Sequence, residues 1–265
     1  TKSGKAGQTQ VVFDANVGFS NAYNIPEVMS TREYAKALVD YKGVSADALA
    51  PYLNGTNPGI DWMDQLLRTG VQQNYKLALS KGNEDMQFYV SGNYMKHQGV
   101  IEETQFQRYA VKANLHARLY KWLELTADVN LSQSKGKGMG FNQNQSNPIW
   151  VGLNYSPTME MMNDKGVYNQ DPYNNIQKNP YGMLAANMND RQRSVASGHI
   201  DLKFNIIDGL TFTTTNGVDY SDRKGYSFSS TKVMTSNGMS NSDAYRMMLQ
   251  TTNNLTYQHN WNGHG

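Results

Sequence analysis

Two stretches of this chain alternate apolar and polar side chains with a period of two, and few architectures can use such a pattern. Around Gln87–Asn93, the side chains of Met86, Phe88, Val90 and Tyr94 fall on one face, and those of Gln87, Tyr89, Ser91 and Asn93 on the other. Over Arg108–Arg118, Tyr109, Val111, Ala113, Leu115, Ala117 and Leu119 are interleaved with Arg108, Lys112, Asn114, His116 and Arg118. A period of two sustained over about ten residues describes a strand with one apolar and one wet face.

The same rhythm marks eight strands in all: Thr9–Phe19, Val71–Ser80, Asp85–Lys96, Phe106–Leu119, Leu123–Ser134, His199–Ile206, Leu210–Ser221 and one near Met247–Trp261. Three connections are tight: Lys81-Gly82-Asn83-Glu84, Tyr120-Lys121-Trp122 and Ile207-Asp208-Gly209, with glycine and asparagine where turns want them. The others are longer. Some fifty residues follow the first strand, and Lys135 to about Ser194 forms the longest irregular stretch. A loop of roughly 25 residues precedes the last strand. Short turns alternating with long polar loops mark a transmembrane β-barrel, apolar toward lipid and polar toward the lumen, with the long loops outside the cell. Trp122 and Trp261, each near a short turn, suit an interfacial aromatic girdle. Within the first loop, Ser30 and Glu33 form a capping box for a helix over Thr31–Tyr41 that Lys42-Gly43 ends.

Composition narrows the classes further. The 24 basic and 22 acidic residues leave a formal charge of +2 with no basic stripe, which argues against a nucleic-acid binder. The absence of cysteine excludes a disulfide scaffold and any cysteine metal site. Mean hydropathy is −0.66 and no apolar run approaches 18 residues, so no membrane-spanning helix is expected. A membrane barrel is untouched by that test, because its strands are half polar. The chain opens at Thr1-Lys2-Ser3 without a leader-like segment, and the expectation is that it is a piece of something longer.

The segment Ser80–Tyr94 (SKGNEDMQFYVSGNY), followed by Gly99-Val100-Ile101 and Phe106-Gln107-Arg108-Tyr109, resembles the early barrel of SusC/RagA-type TonB-dependent outer-membrane receptors. Asp61–Asp64 with Arg68-Thr69-Gly70, Asn179-Pro180-Tyr181 and Gly209-Leu210 match the same pattern, while Lys81 stands where the family often has glycine. The resemblance implies that residues 1–8 end a plug domain and that 9–265 form about eight strands of a larger, 22-stranded barrel. It implies an all-β antiparallel fold in the outer membrane of a Gram-negative cell, against outer-membrane lipid. It further implies import of oligosaccharides or peptides, a SusD-like lipoprotein over the outer mouth, and energy from the TonB complex acting on the plug. No cofactor and no catalysis are implied.

The residues themselves favour binding over chemistry. His97, His116, His199, His259 and His264 are scattered, with no helical metal-binding pair. Gly136–Gly140 lacks the full phosphate-loop pattern and reads as a flexible strand exit. Asn163-Asp164 and Asn169–Asp171 carry oxygen ligands that could suit calcium, but without the EF-hand order they read as turn formers. Asp14, Glu124, Asp128 and Asp201 fall on the polar face and point to a lumen. The candidate substrate contacts are the aromatics of the longest loop, Trp150, Tyr155, Tyr168, Tyr173 and Tyr181, whose rings could stack on sugars or peptide side chains. The competing use of these rings is to pack the loop. The competing class for the whole chain is a soluble or surface-attached β-sandwich that binds carbohydrate or mediates adhesion. Loop alternation and the uncharged apolar faces of the fourth and sixth strands favour the barrel, and predict an open sheet with unpaired first and last strands.

Overall fold

The structure, a computed structural model, describes residues 9–138, 146–176, 178–234 and 236–259. Its strands are β1 (Gln10–Ser20), β2 (Gly70–Gly82), β3 (Met86–Gln98), β4 (Gln105–Tyr120), β5 (Leu123–Lys137), β6 (Met188–Ile207), β7 (Leu210–Ser229) and β8 (Gly238–Tyr257). They form one antiparallel sheet in chain order, each strand paired only with its sequence neighbours, so β1 and β8 are open edges. A sandwich needs a second sheet, and the described residues form one.

Pairing register turns the period-two pattern into a surface. Directly opposed residues share a face, and Phe13, Leu77, Gly92, Val111, Leu131, Ala196, Tyr220 and Met247 are opposed strand by strand. The next row runs Val11, Leu79, Val90, Ala113, Val129, Gly198, Val218 and Leu249. Many of these side chains are solvent-exposed, Val11 at 65% and Leu249 at 71%, so the face is apolar without a protein partner. Aromatic rows bound it. Tyr75, Tyr94 and Tyr109 follow one another ring to ring near the long-loop end, the first pair stacked and the second tilted. At the turn end Tyr120, Trp122, Phe204 and Phe212 form a similar row, tilted at its last contact. The eleven steps from Tyr109 to Tyr120 span about 36 Å of strand, or about 28 Å in height at a barrel tilt of about 40°, which is close to the apolar band of an outer-membrane barrel. Trp261 lies outside the described residues.

The opposite face is wet and cross-linked. Lys203 pairs with Glu124 at 3.4 Å, and His199 lies 3.2 Å from Asp128 and 3.6 Å from Asp201. Asn93 donates to Asn74 across β2 and β3.

Three strands differ from the sequence expectation, β7 by running on from Ser221 to Ser229. β6 begins at Met188 rather than His199, and β8 covers Gly238–Tyr257, so the connection 230–237 is short where some 25 residues of loop were expected. The added length is mostly polar, as in Asp190, Arg191, Gln192 and Arg193, so it carries little apolar alternation even though the hydrogen-bond ladder continues.

The predicted loop helix is present as α1 (Thr31–Lys42), with both capping-box bonds from Ser30 and Glu33 and a left-handed Gly43 at its end. Four short helices accompany it: α2 (Ala50–Leu53), α3 (Trp62–Leu66), α4 (Pro148–Asn154) and α5 (Pro180–Ala185). Asp61, Asn147 and Asn179 cap α3, α4 and α5, and proline opens α4 and α5 where a missing N–H costs nothing.

Candidate functional site

Among the described residues the largest buried core lies in the loops rather than in the sheet. Trp62, Met63 and Leu66 from the first loop meet Val151, Tyr155, Tyr168, Ile176, Met183 and Leu184 from the longest one, and Val233 from the connection before β8 completes the cluster. Leu66 and Val151 are fully buried. α3 and α4 touch so closely that a Cβ on Gly152 would come within 2.5 Å of Leu66 Cδ1 and Met63 Cε. Trp62 packs edge-on against Tyr155 at 4.9 Å and donates its indole N–H to the Ser156 carbonyl at 2.9 Å. Tyr168 N–H donates to the Lys232 carbonyl, tying the third segment in. Three connections separated in sequence thus form one cap over the loop end of the sheet.

Asp171 organises this cap. Its carboxylate is 2% exposed and accepts from the backbone N–H groups of Ser156, Tyr173 and Asn174 and from the Asn174 amide. These donors meet the acceptor need of a buried charge. Burial, and secondarily the Asp171 charge, pushes the Tyr155 phenol far above its ordinary value, and the same two causes raise Tyr34. The Ser30 hydrogen bonds lower the Glu33 carboxyl.

A cavity of about 880 Å³ opens between α1, α3 and α4, within the range typical of ligand pockets. Trp62 and Tyr155 form its buried back, and the partly exposed rings of Tyr34, Tyr52 and Trp150 face it. Arg32, Asn57, Asp61, Asn154 and Asn174 supply polar groups around them. The Asn174 amide donates to Tyr34 Oη and to the Asn154 carbonyl, so one wall is held rigid.

Of the five aromatics singled out from sequence, Trp150 and Tyr155 line this cavity and the other three do not. Tyr155 is 4% exposed and its hydroxyl donates to the Asn169 carbonyl, so it shapes the wall from behind. Tyr168 is 7% exposed in the cap core beside Tyr181, and Tyr173 packs against the α1–α2 cluster of Ala35, Leu38 and Leu49. Sequence reasoning missed Tyr34, Tyr52 and Trp62, although the capping box places Tyr34 on α1 and the Asp61 cap places Trp62 on α3; Tyr52 lies on α2, which has no side-chain cap. Asn163 uses its side-chain oxygen to close a turn on Lys165 and Val167, and Asp171 is occupied as described. Gly136–Gly138 lie at the end of β5, and the rest of that glycine-rich run is outside the described residues.

No family model matches the chain. TonB-dependent receptor P3 of Formosa agariphila is 23% identical over 274 residues, covering 100% of this chain and 26% of that protein. TonB-dependent receptor SusC of Bacteroides thetaiotaomicron is 26% identical over 233 residues, covering 83% of this chain and 22% of its own length. The chain is a relative of the SusC-type TonB-dependent receptors. It spans about a quarter of the length of these curated relatives. Its fold matches a chain of the RagAB peptide importer in the closed-closed state with a TM-score of 0.75 at 18% identity, over 99% of this chain and 34% of that one. The open-open state gives 0.65 at 19% identity over 86% of this chain and 29% of that one.

The receptor-like motifs also meet in space. Arg68 pairs with Glu102 at 3.0 Å and donates to the carbonyls of Gly99 and Thr104, so the Arg68-Thr69-Gly70 stretch is clamped to Gly99-Val100-Ile101. A Cβ on Gly70 would lie 2.5 Å from the Gln98 carbonyl oxygen, which explains glycine at that crossing.

Proposed function

We propose that this chain is wall and outer cap of a TonB-dependent importer in the outer membrane, carrying oligosaccharides or peptides and working with a SusD-like lipoprotein. The observation that carries the reading is the division of labour between the two faces and the cap. One face of the sheet is largely apolar between aromatic rows, with Asn216, Thr214, Thr251 and Asn253 of β7 and β8 as polar exceptions, the other is polar, and the loops fold into a separate body with its own core and cavity. The names of the curated relatives, TonB-dependent receptors, support the class, and the RagAB match supports the architecture. In this reading residues 1–8 leave a plug domain, β1 and β8 pair with further strands, and the TonB complex acts through the plug.

Within the cap, Trp150 is the ring placed to stack on a passing sugar or peptide side chain, with Tyr34 and Tyr52 beside it. Tyr155 supports that wall, while Tyr168, Tyr173 and Tyr181 hold the cap together. The test is growth of cells carrying or lacking the gene on a panel of single oligosaccharides and peptides. Disruption should abolish use of at least one of them, and the Trp150→Ala receptor should need a several-fold higher concentration for half-maximal uptake at unchanged outer-membrane abundance. Unaltered growth on every oligosaccharide and peptide would refute the importer reading.

A further inference from the structure

The apolar face gives way to polar groups directly beyond the aromatic row on β2–β4, and one step earlier, at Gln133, Ser194 and Asp222, on β5–β7. Directly beyond Tyr75, Tyr94 and Tyr109, on the same face, stand Gln73, Lys96, Gln107, Lys135, Gln192 and Lys224, opposed strand by strand from β2 to β7. The register shifts in these pairings lie near the turns, between Arg118 and Tyr120 and between Asn205 and Ile207. Parity is therefore unbroken from Leu131 to Lys135 and from Tyr220 to Lys224. Strands lie about 4.8 Å apart, so the three lysines follow one another at about 10 Å, with a glutamine beside each.

These groups are available for binding. Among the described residues Lys96 and Lys135 have no ion-pair or hydrogen-bond partner. Lys224 has only the 3.9 Å approaches of Asp222 and Asp243, which are weak at an exposed site. Gln107 donates to the hydroxyls of Tyr94 and Tyr109, which fastens the polar row to the aromatic one. Around Lys135 and Lys224 the surface hollows into a groove of about 370 Å³ that also takes in Gln105, Lys137, Gln192, Tyr226 and Asn241, with Asp190 as its carboxylate. The turn end of the same face differs, carrying the rings of Tyr120, Trp122, Phe204 and Phe212 instead.

We propose that this lysine–glutamine belt binds the phosphorylated, sugar-bearing headgroups of lipids in the leaflet at the long-loop end. The inference rests on the membrane reading above. Lysine supplies point charges for phosphate. Side-chain amides both donate to and accept from sugar hydroxyls. The belt sits where the apolar band stops, at headgroup height, so acyl chains on the apolar rows and headgroups on the belt would belong to the same molecules. Confinement of the belt to one end fits a membrane whose two leaflets differ in headgroup.

The test uses the receptor purified from outer membranes of cells that make it. Native mass spectrometry in detergent should show retained phosphoglycolipid. The Lys96→Gln/Lys135→Gln/Lys224→Gln variant should retain at least about tenfold less, since a lysine near an anionic surface contributes about fivefold. Lys81→Gln, at the turn end of the same face, should retain as much as the unaltered protein. Inorganic phosphate at the concentration of the lipid phosphate should leave the glycolipid in place, because a free anion has neither sugar nor acyl contacts. Equal retention by the triple variant, or displacement by that phosphate, would overturn the belt alone. Absence of the unaltered receptor from the outer membrane would overturn the importer reading and the belt with it.

Discussion

The sheet and the cap use apolar side chains in opposite ways. In the sheet, Val111, Val129 and Leu131 are 43–48% exposed and point away from the protein. In the cap, Leu66, Val151 and Met183 are at most 2% exposed and point inward. The cap is therefore an ordinary small core stabilised by burial, whereas the sheet is held by its pairing ladder and leaves its apolar side chains without a protein partner. Apolar content alone does not distinguish the two regions; the direction of the apolar face does.

That contrast breaks most visibly at Trp62. Truncation to Ala removes a buried ring and its indole hydrogen bond, and should destabilise the cap by about 3–5 kcal/mol. Amide hydrogen exchange should then rise across residues 50–67 and 148–186 while β2–β7 stay protected. Loss of protection in the strands as well would mean that cap and wall are one cooperative unit. The converse change is Val129→Arg, which puts a charge near mid-height on the apolar face. It should cost about 2–4 kcal/mol of insertion into a bilayer, and Asn130→Arg, one residue on and facing the other way, far less. Equal outer-membrane yields of the two variants would erase the distinction between the faces.

Smaller effects sharpen the picture of the cap. Asp171→Asn replaces a charged acceptor of four hydrogen bonds, and a loss of about 1.5–3 kcal/mol in cap stability is expected by the same exchange measurement. The smallest expected effect is a pH dependence. Tyr155 has its folded-state pKa raised above the ordinary value of 10 by burial, so the unfolded cap loses a proton first as pH rises. Cap stability should be indifferent to this group below pH 10 and fall above it, and Tyr155→Phe should flatten that fall. A fall of unchanged slope in Tyr155→Phe would assign it to the other raised tyrosines, Tyr34, Tyr52 and Tyr168.

The sheet was legible in the sequence because strands with one apolar and one polar face must alternate. β4 and β7 begin within one residue of their expected positions. Legibility ended where the strands leave the apolar band. Met188–Arg193 and Gly238–Arg246 pair fully yet are mostly polar on both faces, so little in their composition marks them as strand. In the cap, α1 was readable from Ser30 and Glu33. α4 and α5 carried the same kind of signal in Asn147-Pro148 and Asn179-Pro180, in segments too short to show helical periodicity. The aromatics of the longest loop were found, but a tyrosine that packs a loop and one that meets a ligand look alike in sequence. Only contacts between segments far apart, such as Trp62 with Tyr155 and Ser156, separate Trp150 at the cavity from Tyr168 in the core.

The central claim, that the alternating face lies against lipid between the aromatic rows, is tested most directly by site-directed spin labelling along β5. The chain contains no cysteine of its own, so single cysteines from Leu123 to Lys137 give a clean series within it. In the membrane-embedded receptor, accessibility to a lipid-soluble relaxer should alternate with a period of two, high at 125, 127, 129 and 131. It should give way to a water-soluble relaxer at 135 and 137, where the lysines stand. A uniform profile, or one in which the even-numbered positions report lipid, would contradict the assignment of the faces.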